Sequence, residues 1–232
     1  MTVGPFLVLV IATAATVSFA NAGSPRSSNK CADLKPESLV RGKVESVSDG
    51  DTARVTIGGK SVRIRMLSID TPEVNFQGMS QGEWGDKASA HLKTILTPGT
   101  AVTVEVGEQA CDVNGRTLGY IWKGDLNTNL HMIEEGLAVN YCIFPNLKYC
   151  EDFAEAADVS IQEKKGIFSD SAKVELPYEW RRQMSNRPFD KYIGDIYSYE
   201  VYDPGSYGEV SIANRVFFMK KKDVDKPFEF VK

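Results

Sequence analysis

Five short runs of alternating apolar and polar residues, with a helical pattern between the third and fourth and two more helical patterns after the fifth, predict an α+β, mainly β fold. That order matches a five-stranded Greek-key barrel of the oligonucleotide/oligosaccharide-binding type with three α-helices, followed by a small β-rich C-terminal extension. A chain of 232 residues is long enough for one substantial core and an appendage, and short for two full domains.

The first residues stand apart from that fold. Phe6 to Ala15 is almost entirely apolar, no charged side chain occurs before Arg26, and Ala20-Asn21-Ala22 offers the small residues of a cleavage site. A signal peptide is expected over 1–22, and a flexible leader rich in Ser, Asn, Lys and Pro over 23–36. A retained anchor is the alternative, because Val3 to Ala20 approaches the ~18 apolar residues that a span needs. The Thr and Ala content favours export with cleavage, leaving a monomer without stable membrane association.

The main domain is expected over 37–172. Leu39 to Val47 leads a three-stranded antiparallel meander: Ala53, Val55 and Ile57 alternate with polar residues, Gly58-Gly59 turns the chain, and Val62, Ile64 and Met66 alternate with Arg63 and Arg65. A loop over Val74 to Glu83 precedes a helix over Trp84 to Leu96, whose Ala88, Leu92, Ile95 and Leu96 share a face and which Pro98-Gly99 stops. Strands follow at Ala101 to Glu108 and Thr117 to Trp122. A second helix over Asn127 to Glu135 is capped by Asn127 or Thr128 and ended by Gly136, and a third runs over Cys150 to Lys165. From 173 to 232 the composition shifts towards aromatics and Pro, with strands expected at Tyr197 to Tyr202 and Ser211 to Met219 around a Pro204-Gly205 turn. The role of that extension cannot be read from its residues.

The formal net charge is −4, and Asp and Glu outnumber Lys and Arg between Glu37 and Lys173. Clustered basic charge is what tight, static polyanion binders rely on, so that class is disfavoured. Export would place the four cysteines in an oxidising compartment. Cys142 and Cys150 flank a short loop that a local bridge would close, leaving Cys31 to tie the N-terminus to Cys111; sequence alone permits three pairings. A four-cysteine zinc site is disfavoured because there is no C-x-x-C pair. The two histidines, His91 and His131, fall in predicted helices and read as packing or surface residues.

The chemistry concentrates in Asp49-Gly50-Asp51-Thr52, Arg65, Ile69-Asp70-Thr71-Pro72-Glu73 and Asn114-Gly115-Arg116. Carboxylates gather a hard cation, a further carboxylate can take a proton from water, and guanidinium forks hold phosphoryl oxygens as negative charge builds. Taken alone, Asp49 and Asp51 read as an ordinary Asp-Gly hairpin turn. Arg54 and Arg63 read as solvated pleat residues.

The Asp49-Gly50-Asp51-Thr52 turn, the strand exit from Arg65 to Glu73, and Asn114-Gly115-Arg116 through Tyr120 together resemble the staphylococcal nuclease (thermonuclease) family, in order and spacing over roughly Leu39 to Ser169. The run Pro177 to Arg182 resembles the exit segment of many bacterial members. The resemblance implies calcium held by Asp51, Asp70 and the Thr71 carbonyl, Glu73 as general base, and Arg65 and Arg116 as phosphate clamps. It also implies DNA and RNA as substrates and cleavage to 3′-phosphate ends. Tyr141 and Phe144 are candidates to stack a nucleobase, with core packing the other reading for both. A non-catalytic binding module on the same barrel is the alternative function; the acidic balance and the extension favour it, and the complete set of charged residues favours the enzyme.

Overall fold

The computed structural model describes residue 1 and residues 31–231, so the expected signal peptide and most of the leader lie outside the described residues. Within them, alternation becomes strand. β1 (Leu39–Asp49), β2 (Thr52–Ile57) and β3 (Lys60–Met66) form the meander, with Thr52 opposite Arg65 and Val55 opposite Val62. One pleat face points inward, carrying Ala53 and Val55 from β2 and Val62, Ile64 and Met66 from β3, all buried. Each large side chain so removed from water contributes about 1.5–3 kcal/mol.

At the end of β3 the chain turns out of the barrel. Ser68 adopts φ 61°, while the Leu67 N–H donates to Gly119 O at 3.0 Å and Leu67 O accepts from Asn129 Nδ2 at 2.9 Å. This turn opens β4 (Ser68–Asp70), a strand too short for alternation to signal. α1 (Glu83–Ile95) packs Ala88 and Leu92 into the core. β5 (Ala101–Cys111) pairs antiparallel with β1 and with β6 (Thr117–Lys123), and β6 pairs parallel with β3. The order β1-β2-β3-β6-β5 therefore closes on itself as the five-stranded barrel, without an open edge.

β7 (Leu126–Asn127) ends at the cap of α2 (Thr128–Glu134), where the Asn127 side chain accepts from the N–H groups of Asn129 and Leu130. β8 (Val139–Ile143) and α3 (Cys150–Gln162) follow. Disulfides join Cys31 to Cys111 and Cys142 to Cys150, the pairing that a local bridge across the short loop favours.

The C-terminal residues are part of the same body rather than a loose appendage. A fourth helix, α4 (Pro177–Met184), precedes β9 (Tyr192–Asp195), β10 (Glu200–Tyr202), β11 (Arg215–Phe218) and β12 (Glu229–Phe230). They extend β4 and β8 into a second sheet of order β12-β10-β9-β11-β8-β4. Its faces bury Tyr141, Tyr178, Tyr207 and Phe217 in one cluster, and Cys142, Cys150, Val216 and Phe218 in another. Among the described residues no helix is long and apolar enough to cross a membrane.

Candidate active site

A cavity of ≈520 Å³ lies between the barrel and the second sheet, lined among others by Asp49, Asp51, Arg63, Arg65, Glu73, Asp112, Arg116, Tyr141, Arg181 and Lys191. Its barrel wall comes from successive chain turns. Asp51 lies in the β1–β2 turn, which approaches α1 and Thr71 so closely that a Cβ on Gly50 would meet Ala88 Cβ and Thr71 Oγ1 at 2.8 Å. Thr52 Oγ1 donates to Asp51 Oδ1 at 3.0 Å, and the Thr71 N–H donates to Asp51 Oδ2 at 3.3 Å. Arg65, near the end of β3, then joins the two acidic turns: its Nη2 lies 3.1 Å from Asp51 Oδ2 and 2.9 Å from Asp70 Oδ1. Its Nη1 donates to the carbonyls of Met66 and Ile69, which fixes the fork against the outward turn.

Asp70 has no exposed side-chain surface, and three donors crowd it. Arg65 takes Oδ1, while Arg181 bonds Oδ1 through Nη1 at 3.0 Å and Oδ2 through Nη2 at 2.8 Å. The same Arg181 Nη1 donates to Glu73 Oε1 at 2.6 Å. Arg181 is not among the residues that the sequence alone points to. The run Pro177 to Arg182 stands out in the sequence without a role for Arg181; Pro177 at a helix start, Glu179 in the first turn and Arg181 and Arg182 in the last are the signals of a helix that could have presented it.

The electrostatics follow from burial of many charges in one place. Burial, and then the neighbouring Asp51, push Asp49 up to about 7. Burial would raise Asp51 too, but Arg65 and Arg181 outweigh it and hold that carboxyl below its ordinary value. For Asp70 and Glu73 burial wins, and both carboxyls are held above their ordinary values despite Arg181. Asp51 and Asp70 together would attract a divalent cation. The donors fit one that is hard: Asp51, Asp70 and Thr71 offer only oxygen. Among the described residues no group of three or more His, Cys, Asp or Glu is arranged to hold a metal ion.

Arg116 lines the same cavity, but its Nε is held by Asp112 Oδ2 at 2.6 Å rather than by the acidic turns. Arg63, expected to be a solvated pleat residue, is exposed and stands at the cavity rim. The aromatic candidates need correction. Phe144 does not line the cavity; its N–H is held by Phe217 O at 2.9 Å and its ring stacks on Phe218. Tyr141 does line it, but Tyr178 stacks on one face of its ring at 5.1 Å and 8°, so that face is closed to a base. His91 and His131 lie together, with their Nε2 atoms 3.3 Å apart, and do not line the cavity.

A family model described as staphylococcal nuclease homologue matches residues 63–170. A thermonuclease of Staphylococcus hyicus is 32% identical over 169 residues, covering 73% of this chain and 98% of the relative. A thermonuclease of Staphylococcus intermedius is 34% identical over 145 residues, covering 61% and 83%. Endonuclease YhcR of Bacillus subtilis (strain 168) is 31% identical over 218 residues, covering 84% of this chain, which spans only 18% of that larger protein.

Proposed function

Because the chain belongs to the staphylococcal nuclease family, we propose that it is an exported, calcium-dependent endonuclease that hydrolyses DNA and RNA with little sequence preference and works as a monomer. The coarser class, a phosphodiester-hydrolysing nuclease, follows from the family and from relatives named thermonuclease and endonuclease. In this reading residues 1–22 are a signal peptide, 37–172 form the nuclease domain, and 173–232 extend it. Two disulfides among the described residues suit an oxidising compartment.

The observation that carries the reading is the convergence of Asp51, Arg65, Glu73 and Arg116 on one cavity, with Asp70 bonded beneath it. Glu73 takes a proton from the attacking water, and its burial, which raises the carboxyl, makes it a stronger base than an exposed glutamate. Arg65 and Arg116 hold the phosphoryl oxygens as negative charge grows on them. A divalent cation held by Asp51, Asp70 and the Thr71 carbonyl would add positive charge beside those oxygens. Five basic side chains line the cavity against four acidic ones, with Asp70 a fifth beneath them, so charge is close to balanced in the cleft although the chain carries −4.

The test is hydrolysis of single-stranded DNA and of RNA by the mature protein with Ca²⁺ or with chelator. Cleavage is expected only with Ca²⁺, and Glu73→Gln is expected to lower turnover about 10²–10⁴-fold. No Ca²⁺-dependent loss of polymer, or equal turnover in Glu73→Gln, would favour the non-catalytic module instead.

A further inference from the structure

The charge of the cleft depends on the extension. Of the five basic side chains that line it, Arg63, Arg65 and Arg116 come from the barrel, and Arg181 and Lys191 come from beyond residue 173. Without the last two, three basic groups would face four acidic ones, and a polyanion would be repelled where it must react. Arg181 also lies at the centre of the site. Its fork reaches both oxygens of Asp70 and one of Glu73, the carboxylates assigned to the cation and to the base.

That placement is built, not incidental. α4 is anchored by Tyr178, which is buried, stacked on Tyr141, and bonded through its hydroxyl to Arg215 Nη1 at 2.5 Å. The preceding turn is tied to the Glu73 loop by Gln81, whose Nε2 donates to Glu175 O at 2.9 Å while its Oε1 accepts from the Glu73 N–H at 3.0 Å. Trp180 meets Phe76 of that loop edge-on at 6.1 Å.

The side chain so delivered keeps 21% of its surface exposed, so it is not sealed in as a purely structural counter-ion. A guanidinium that binds a carboxylate in fork geometry presents the same two parallel donors that a phosphodiester accepts. Asp70 has two guanidinium partners, with Arg65 and Arg181 both on Oδ1, so it keeps one when the other leaves. A cation arriving at Asp70 would compete for those oxygens and leave the Arg181 donors turned towards the cavity beside Glu73.

We propose that Arg181 is a third phosphate-contacting guanidinium of the active site, which rests on Asp70 and Glu73 in the free protein and transfers its donors to the scissile phosphodiester when nucleic acid binds. This deepens the nuclease reading above and rests on it. The extension thereby acquires a role, because it supplies one wall of the substrate cleft.

The experiment compares the full chain with Arg181→Ala, Arg181→Lys and Arg54→Ala, the last removing an equal charge from an exposed strand position outside the cleft. Cleavage of a short single-stranded DNA is followed with saturating Ca²⁺. Binding of the same DNA is followed by fluorescence anisotropy across a salt titration, with each variant placed in a Glu73→Gln background. Arg181→Ala is expected to lose about 10²-fold in kcat/KM. Its slope of log K against log salt should shrink by about 0.7, while Arg54→Ala keeps both values.

Arg181→Lys, with a point charge in place of a fork, should fall between. If Arg181→Ala fails to fold, the lysine variant decides: a loss of about tenfold at unchanged Tm supports the proposal, and wild-type kcat/KM overturns it. Unchanged kcat/KM and salt slope in a folded Arg181→Ala overturn the proposal and leave the nuclease reading intact. Faster cleavage with a lower Ca²⁺ requirement in Arg181→Ala would mark the residue as a latch and overturn it as well. A wild-type chain that neither cleaves nor binds DNA sinks both readings.

Discussion

The two walls of the cleft are assembled over different distances along the chain. On the barrel wall Arg65 and Asp70 are five residues apart and meet because β3 ends in an outward turn held by Gly119 and Asn129. On the other wall Arg181 meets Asp70 across 111 residues, where α4 packs Tyr178 on Tyr141 of β8 and Phe217 of β11 in the sheet that β4 begins. The barrel wall stands on apolar burial inside a closed barrel, where Ile64 and Val55 have no exposure. The C-terminal wall stands on aromatic stacking and on one buried cation: Arg215 bonds the Tyr178 hydroxyl, Glu179, Tyr207 O and Val210 O. A wall built on burial tolerates the loss of a polar group, and one built around a buried charge does not.

Each region has its own disulfide, and the pair offers the largest test of this contrast. Cys31–Cys111 closes 80 residues around the barrel, whereas Cys142–Cys150 closes 8 beside the second sheet. On loop-closure entropy the first contributes about 4.5 kcal/mol and the second about 2.5 kcal/mol. Urea unfolding of Cys31→Ser/Cys111→Ser and of Cys142→Ser/Cys150→Ser should reproduce that order. The reverse order would mean that the local bridge is what holds β8 and α3 together, and that the C-terminal wall depends on covalent support.

What the sequence makes legible follows the same division. The five barrel strands and three helices are readable because each is amphipathic within a window of a dozen residues, as in Val62, Ile64 and Met66 on β3. Asp51, Arg65, Asp70 and Glu73 are singled out because their order and spacing, in one turn and around the end of β3, resemble a known family, whereas each motif alone would read as ordinary. β4 escapes such reading because three buried residues have no period, and its partner β8 is buried throughout except at Ile143, so alternation is lost there as well. α4 escapes it because it is only eight residues long and its polar face carries the functional group. Phe144 misleads because composition says that a residue is aromatic and not which way the strand end turns it. Arg181 depends on β4 pairing with β8 and β8 with β11, strands distant in sequence, and no local pattern reports those pairings.

Arg215 sharpens the comparison at the next level. It is 6% exposed, and Arg215→Ala would strip a donor from two carbonyls, the Tyr178 hydroxyl and Glu179 at once. A loss of about 3–5 kcal/mol is expected in chemical denaturation. The damage should be concentrated in the C-terminal wall: hydrogen exchange should rise over α4 and β11 while the amides of β2 and β3 stay protected. Equal loosening of the barrel strands would show that the two walls unfold as one unit, and the contrast between them would fail.

The smallest effect concerns how firmly the barrel wall is set. A Cβ on Gly85 of α1 would lie 2.6 Å from Glu73 O and 2.9 Å from its carbonyl carbon, so backbone must move to admit one. Overpacking of that kind costs about 1–3 kcal/mol, but alanine returns about 1 kcal/mol of helix propensity over glycine, leaving a net loss of about 1 kcal/mol for Gly85→Ala. Stability should therefore change little while the loop carrying Glu73 is displaced. Because a shift on the order of 1 Å in a reacting group can cost up to about 10²-fold, kcat should fall about tenfold with KM unchanged. A loss in KM alone would mean that the displaced segment binds substrate instead of activating water, and unaltered kinetics would mean that Glu73 is positioned by Arg181 and Gln81 from the far wall rather than by the helix beneath it.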